Sequence, residues 1–203
     1  MIRVEDIDVW GFQHAIRGMR NPMKSWDRSD SNGIVIGEND LTLMKRLVRS
    51  GSNGNTAHRK FLRQIFVSMD VVAPLYWWKE FDTYKVGTVT NSCSTMHKIH
   101  SRSLELSDFS IEHLSPKSEE MMVDIISLIN YYRTLYIENE RKEDWWQLIQ
   151  LLPTSYNQRR TLTLNYENVF SIILQRKGHK LDEWNRFIDI LMKLPYVKEL
   201  VEG

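Results

Sequence analysis

Between Trp77 and Ile99 the chain reads WWKEFDTYKVGTVTNSCSTMHKI. An aromatic, acidic opening leads to a lone cation, Lys85, then to a run of Gly, Thr, Asn, Ser and Cys that closes on His97 and Lys98. Small residues let a backbone come close to a ligand, and hydroxyls and amides place many donors and acceptors in little volume. This stretch is the candidate site; the alternative is a polar surface loop after a helix. Ser94, His97 and Asp82 could be drawn as a nucleophilic triad, but no strand–turn–helix elbow surrounds the serine. His97 and His100 stand three apart without a third ligand at metal spacing, so no metal is expected.

The elements that position these residues belong to a chain of ordinary globular make-up. At 203 residues it fits a single domain, 1–203, large enough for a real core. Apolar residues make up 42% and charged residues 26%, both usual values, and the net charge of +1 gives no global field toward nucleic acid or a membrane. Seven Trp and eight Tyr are the compositional excess; they suit cores, oligomer interfaces and flat heterocycles alike. Cys93 is the only cysteine, which excludes a disulfide framework and a thiolate metal site. The opening MIRVEDIDVW carries acids where a secretory signal needs an apolar core, and no apolar run approaches the ~20 residues that span a bilayer. A cytoplasmic protein is expected.

Taken in order, residues 2–9 alternate as a strand with one irregularity, and Phe12 to Met19 suits a short helix. Residues 20–33 read as a polar, ligand-covering loop. Asn39 or Asp40 can cap a helix ending at Ser50-Gly51, and 52–58 is a Gly/Asn-rich loop without the Lys-Ser/Thr of a P-loop. Residues 61–72 have strand character, and Pro74 can open a helix through Tyr84. The small-polar run then breaks regular structure. Ser115-Pro116 starts a helix whose stripe is Met122, Ile125, Ile126, Ile129, Tyr132 and Tyr136, a core face. Residues 145–152 continue as helix to Pro153. TLTLN (161–165) is a short strand, and Asn165 caps a helix that runs to Arg176 and closes at Gly178. The last helix spans Leu181 to Leu194. Interleaved strands and helices make the class α/β or α+β, with helices prevailing.

Residues 151–184, LLPTSYNQRRTLTLNYENVFSIILQRKGHKLDEW, resemble flavin-dependent thymidylate synthases. The family's series of Leu-Pro, Tyr, a strand ending Thr-Leu-Asn, a helix ending in Leu-Arg, a His-containing turn and a Trp-Glu helix is matched by Leu152-Pro153, Tyr156, Thr163-Leu164-Asn165, Arg176, His179 and a reversed Glu183-Trp184. Upstream, Asn91 and Ser94 align with the Asn and second Ser of the family signature, and Thr88 stands near its first Ser. The basic triplet of that signature becomes Thr83-Tyr84-Lys85, its Glu becomes Ser92, and its closing Arg-Tyr becomes Met96-His97. His58 stands where the family has a His before its strand, with Ala57 in place of the usual acid.

The resemblance, which spans residues 40 to 200, implies a small, mostly antiparallel sheet packed with helices plus a helical subdomain. It implies FAD held by His58, Tyr84, Lys85, Asn165 and His179, and dUMP or a related pyrimidine nucleotide held by Asn91, Ser92, Ser94, His97 and Arg176. It implies reductive methylation of dUMP to dTMP, with methylenetetrahydrofolate and NADPH as co-substrates and no enzyme nucleophile. It also implies a homotetramer with sites between subunits. Loss of two arginines and a glutamate keeps two alternatives open: a non-catalytic relative binding a nucleotide or a partner on the same scaffold, and an altered pyrimidine nucleotide modification. Arg159, Arg160, Lys85 and Lys98 are the cations that could compensate.

Overall fold

Alternation of buried and half-buried residues is strictest in the strand Phe66–Pro74, where Val67, Met69, Val71 and Ala73 are sealed and Phe66, Ser68, Asp70 and Val72 are half-buried. It is β2 of a four-stranded antiparallel sheet with β1 (Arg3–Trp10), β3 (Thr88–Ser92) and β4 (Asn157–Asn165), in the order β1-β2-β4-β3. The computed structural model describes residues 2–33, 35–52 and 56–203. The β2–β4 register is fixed where Tyr166 N–H donates to the Ile65 carbonyl at 2.9 Å and the Ser68 and Thr163 hydroxyls meet at 3.0 Å. In β1 the expected irregularity is Asp6, with a positive φ of 51°.

Around the strands lie helices α1 (Phe12–Arg20), α2 (Glu38–Ser52), α3 (Leu75–Phe81), α4 (Thr95–Lys98), α5 (Pro116–Asn139), α6 (Lys142–Gln150), α7 (Tyr166–Arg176), α8 (Asp182–Leu191) and α9 (Val197–Glu202). The Asn165 and Ser115 side chains each accept the backbone N–H three residues on, as expected of caps. Glu140, in the left-handed conformation, separates α5 from α6. The expected last helix stops at Leu191, and a further one, α9, follows the left-handed Tyr196.

The chain divides into two units that interleave in sequence. One comprises residues 1–3, 71–83 and 91–161. Its core gathers Ile99, Leu104, Phe109, Leu148 and the α5 stripe Met122, Ile126 and Ile129, with Ile125, Tyr132 and Tyr136 partly buried beside it. The same unit seals Trp77, Trp78 and Phe81, whose rings lie 4.9–5.5 Å apart. The aromatic opening of the sequence-singled stretch is therefore core, not ligand surface. The other unit comprises residues 4–70, 84–90 and 162–203. There α7 and α8 bury Tyr166, Val169, Phe170, Ile172, Trp184 and Phe187, while α2 contributes Met44 and Val48.

Three expectations need correction. Strand character was expected over 61–72, but Thr56–Gln64 is 3-10 helix and the strand begins at Phe66. Phe61 and Leu62 are apolar because they are buried under that helix, so a run of large apolar residues spanned two elements. The small-polar run does not lack regular structure, since it holds β3 and α4. Asp40 does not cap α2; the cap comes from outside the helix, with the Asp30 carboxylate accepting the N–H groups of Asn39 and Asp40. Of the Gly/Asn-rich loop expected at 52–58, residues 53–55 lie outside the described residues.

Candidate functional site

The C-terminus of α7 carries the tightest group of expected site residues. Tyr166 through Arg176 is helical because Asn165 and Asn168 form a reciprocal cap, each side chain accepting the other's backbone N–H. Asn168 also donates its side-chain amide to the Val86 carbonyl at 2.7 Å, which docks the turn 84–87 on the start of the helix. Gly87 sits there at φ +78°, and a Cβ on it would lie 2.6 Å from the Asn165 amide nitrogen, so glycine is required by both conformation and space. Asn165 is thus a buried cap that supports this turn.

At the other end of α7, the Arg176 Nε donates to the Tyr84 hydroxyl at 3.0 Å, and Tyr84 donates in turn to Gln175 at 3.1 Å. The guanidinium lies 4.6 Å from the Trp184 ring centre and 5.5 Å from that of Tyr84. His179 lies 3.3 Å from an Arg176 nitrogen through Nε2, while its Nδ1 accepts the Leu181 N–H at 3.1 Å. Arg176, Tyr84 and His179, chosen from the sequence, do come together. Arg176 does not face away from the protein as a helix-end cation would; it is half-buried on two aromatic faces. Lys85, next in the chain, is exposed.

Within the same unit, α1, α2 and the 3-10 helix enclose a groove of about 1070 Å³. His58 lines it, together with Arg20, Lys24, Arg28, Arg46 and Lys60, against one acid, Asp27. Arg20 is neutralised, since its Nε donates to the buried Asp40 carboxylate at 2.6 Å. The other cations are exposed and set the groove's sign. Sequence reasoning found His58 and missed the rest. The signal was present as Arg20, Lys24 and Arg28 at intervals of four, but it was absorbed into a polar loop.

In the other unit, Asn91 and Ser92 end β3 and are exposed. Ser94 caps α4 by accepting the His97 N–H at 3.2 Å, and His97 itself is exposed. Cys93, exposed, continues the ladder with Arg159, and its carbonyl accepts the Gln158 amide at 2.9 Å. Arg160 pairs with Asp82 at 2.7 Å and lies 4.3 Å over Trp78, so it is a structural cation of that unit.

Two titrations follow from packing. Burial alone would raise Asp40, but hydrogen bonds from Ser31, Ser29 and Arg20, and the charge of Arg20, outweigh it and hold the carboxyl below its ordinary value. Burial, with a smaller push from Glu199, raises the Tyr166 phenol far above its ordinary value, so it stays a neutral donor to the Pro195 carbonyl.

In three dimensions the chain is similar to thymidylate synthase X (ThyX) from Helicobacter pylori, crystallised with FAD and dUMP, at a TM-score of 0.75 and 17% identity over 100% of this chain and 98% of that one. A second structure of flavin-dependent thymidylate synthase ThyX from that organism, complexed with FAD and dUMP, matches at 0.74 and 17% over 98% and 97%. A UMP/dUMP methylase, PolB, from Streptomyces cacaoi, bound with 5-Br dUMP, matches at 0.64 and 15% over 94% and 88%. No protein-family model matches the chain, and no curated protein matches it. The chain has the flavin-dependent thymidylate synthase fold, as the residues 151–184 led one to expect.

Proposed function

We propose that this chain is a divergent flavin-dependent methylase of a pyrimidine nucleotide, dUMP or a close relative, with FAD in the basic groove of the α1–α2 unit. The observation that carries the reading is likeness over the whole chain to structures crystallised with FAD and dUMP, together with a groove whose donors suit a dinucleotide. A cavity of about 1070 Å³ lined by Lys24, Arg28, Arg46 and Lys60 has the room and the sign for a pyrophosphate. When bound, the flavin supplies the hydride chemistry, methylenetetrahydrofolate the carbon and NADPH the electrons. The chain's own residues then bind and orient. Arg46 and Lys60 offset phosphate charge, and His58 offers a ring nitrogen at the groove wall. The cofactor side of the reading also includes Tyr84, Lys85, Asn165 and His179. Asn165 acts through the cap that fixes the turn 84–87. On the nucleotide side it names Arg176, and by alignment with the signature Asn91, Ser92, Ser94 and His97. The same resemblance carries a homotetramer. The exposed Met121, Leu128 and Tyr131 on α5, at helical spacing, are apolar surface that assembly would cover.

A non-catalytic nucleotide-binding relative is the second reading, and one observation favours it. Arg176, the cation that aligns with the family's nucleotide-binding arginine, is committed to Tyr84 and the Trp184 face, and Thr83-Tyr84-Lys85 supplies no bidentate fork in place of the lost triplet.

The test is a flavin titration of purified parent protein and of Arg46→Gln/Lys60→Gln, read by visible absorption. Each charge-assisted bond lost costs about 1.5–3 kcal/mol, so the double variant should bind FAD at least tenfold more weakly. Failure of the parent to bind FAD removes the flavin reading; equal binding by parent and variant removes the groove.

A further inference from the structure

Beside the basic groove, sharing Arg20 of α1 with it, lies a second cavity, of about 340 Å³. The apolar part of its wall is Phe12, Ile16, Trp26, Val35 and Ile36. We infer that this cavity is a binding site for a small planar aromatic ring bearing one negative charge, an aryl carboxylate in class, recognised by Arg17. The inference does not rest on the flavin reading.

The apolar walls are unusual in what they leave in water. Trp26 is 49% and Val35 56% exposed, although both border a hole in the protein. The Trp26 indole N–H already donates to Asn21 at 2.9 Å, so the ring presents only its apolar surface to the cavity. Such a wall stacks on a flat ring at little conformational cost.

The cavity is also built rather than left over. Its loop is pinned at one end by Asp40, whose Oδ2 accepts the Ser29 and Ser31 hydroxyls at 2.7 Å and the Asp30 and Ser31 amides at 3.2 Å. At the other end the Tyr196 hydroxyl accepts the Ile36 N–H at 3.0 Å, and the Ser31 hydroxyl accepts that of Gly37 at 2.9 Å. These bonds hold the walls apart without a ligand, which removes an ordering cost from binding.

Charge then selects the occupant. Two arginines border the cavity. Arg20 is buried and neutralised by Asp40. Arg17, one turn earlier on the same helix, is exposed and makes no ion pair among the described residues. Beside the exposed His14 ring, the site therefore carries one arginine outside any ion pair, at the rim of a slot whose apolar walls are interspersed with Gln13, Ser29, Ser31 and Asn32. A volume of about 340 Å³ is near the lower end for small-molecule pockets, room for one or two rings and not for a dinucleotide.

Calorimetry with 2-naphthoate and with the neutral 2-naphthalenemethanol tests the assignment. The parent should bind 2-naphthoate saturably and more tightly than the alcohol. Arg17→Gln should weaken 2-naphthoate about tenfold and leave the alcohol unchanged. Trp26→Ala, at a surface position where folding is not at stake, should weaken both. Binding should persist in the presence of FAD and dUMP. Absence of saturable binding by the parent, parent-like affinity of Arg17→Gln for 2-naphthoate, or displacement of the probe by FAD would each overturn the site.

Discussion

Asp40 offers the sharpest test of how the α1–α2 unit is held together. Its side chain is wholly buried and accepts five hydrogen bonds, from Arg20, Ser29, Asp30 and two from Ser31. Asp40→Ala strands the Arg20 guanidinium, itself 4% exposed. Leaving one partner of a buried pair uncompensated costs about 3–5 kcal/mol. For a chain of this size each kcal/mol shifts Tm by about 2–4 °C, so the expected loss is about 6–20 °C. Asp40→Asn keeps the shape and removes the charge, and should cost about 1.5–3 kcal/mol. The depressed folded pKa gives the pH dependence its sign. Stabilisation by Asp40 is complete above the unfolded carboxylate value of about 3.9 and is lost as pH falls through the lower folded value. The parent should therefore lose its stability advantage over Asp40→Asn only at strongly acid pH. Scanning calorimetry gives the energies, and amide exchange at Asp30 and Ser31 gives the locality. A drop below 2 °C for Asp40→Ala, with those amides still protected, would refute the reasoning.

Arg176→Ala should lower stability by about 1–3 kcal/mol, from a lost hydrogen bond and a cation–π contact; calorimetric dUMP affinity falling tenfold beside it supports the methylase reading, whereas unchanged affinity with the same stability loss favours the non-catalytic relative. Light scattering at micromolar concentration should give a tetramer, and a monomer would remove the shared-site part of the proposal.

The parts of the fold legible in the sequence are those written in local chemistry. Ser115-Pro116 and Asn165 name their own helix starts, because a cap needs only a side chain and the N–H three residues on. The irregular alternation of residues 2–9 names a kinked strand, and Asp6 supplies it. The boundary at Gln64 to Phe66 was not legible, because Phe61 and Leu62 under a 3-10 helix and Val67 and Met69 in a strand are all buried apolar residues. The start of α2 was read to within two residues of Glu38, but its cap was not: that is Asp30, nine and ten residues upstream of the amides it serves, and nothing local marks a loop that folds back on a helix.

The candidate site divides along the same line. Tyr84, Arg176 and His179 were found by order and spacing, yet their arrangement was not: a helix-end arginine reads as solvated until Trp184, eight residues on and past a turn, brings its ring to 4.6 Å. The groove was invisible for a different reason. Its cations come from α1, the loop after it, α2 and the 3-10 helix, and only tertiary structure sums them into one sign. That separation has a chemical consequence. The aligned Thr83-Tyr84-Lys85 and the groove's exposed Lys24, Arg28, Arg46 and Lys60 come from different segments of the chain. Under the proposed reading both belong to the cofactor side, so the groove cations would offset the phosphate charge that the triplet no longer meets with arginine. The Arg46/Lys60 variant tests the proposed flavin binding and the Arg176 variant the proposed nucleotide binding, so the two address different questions and need not give the same answer.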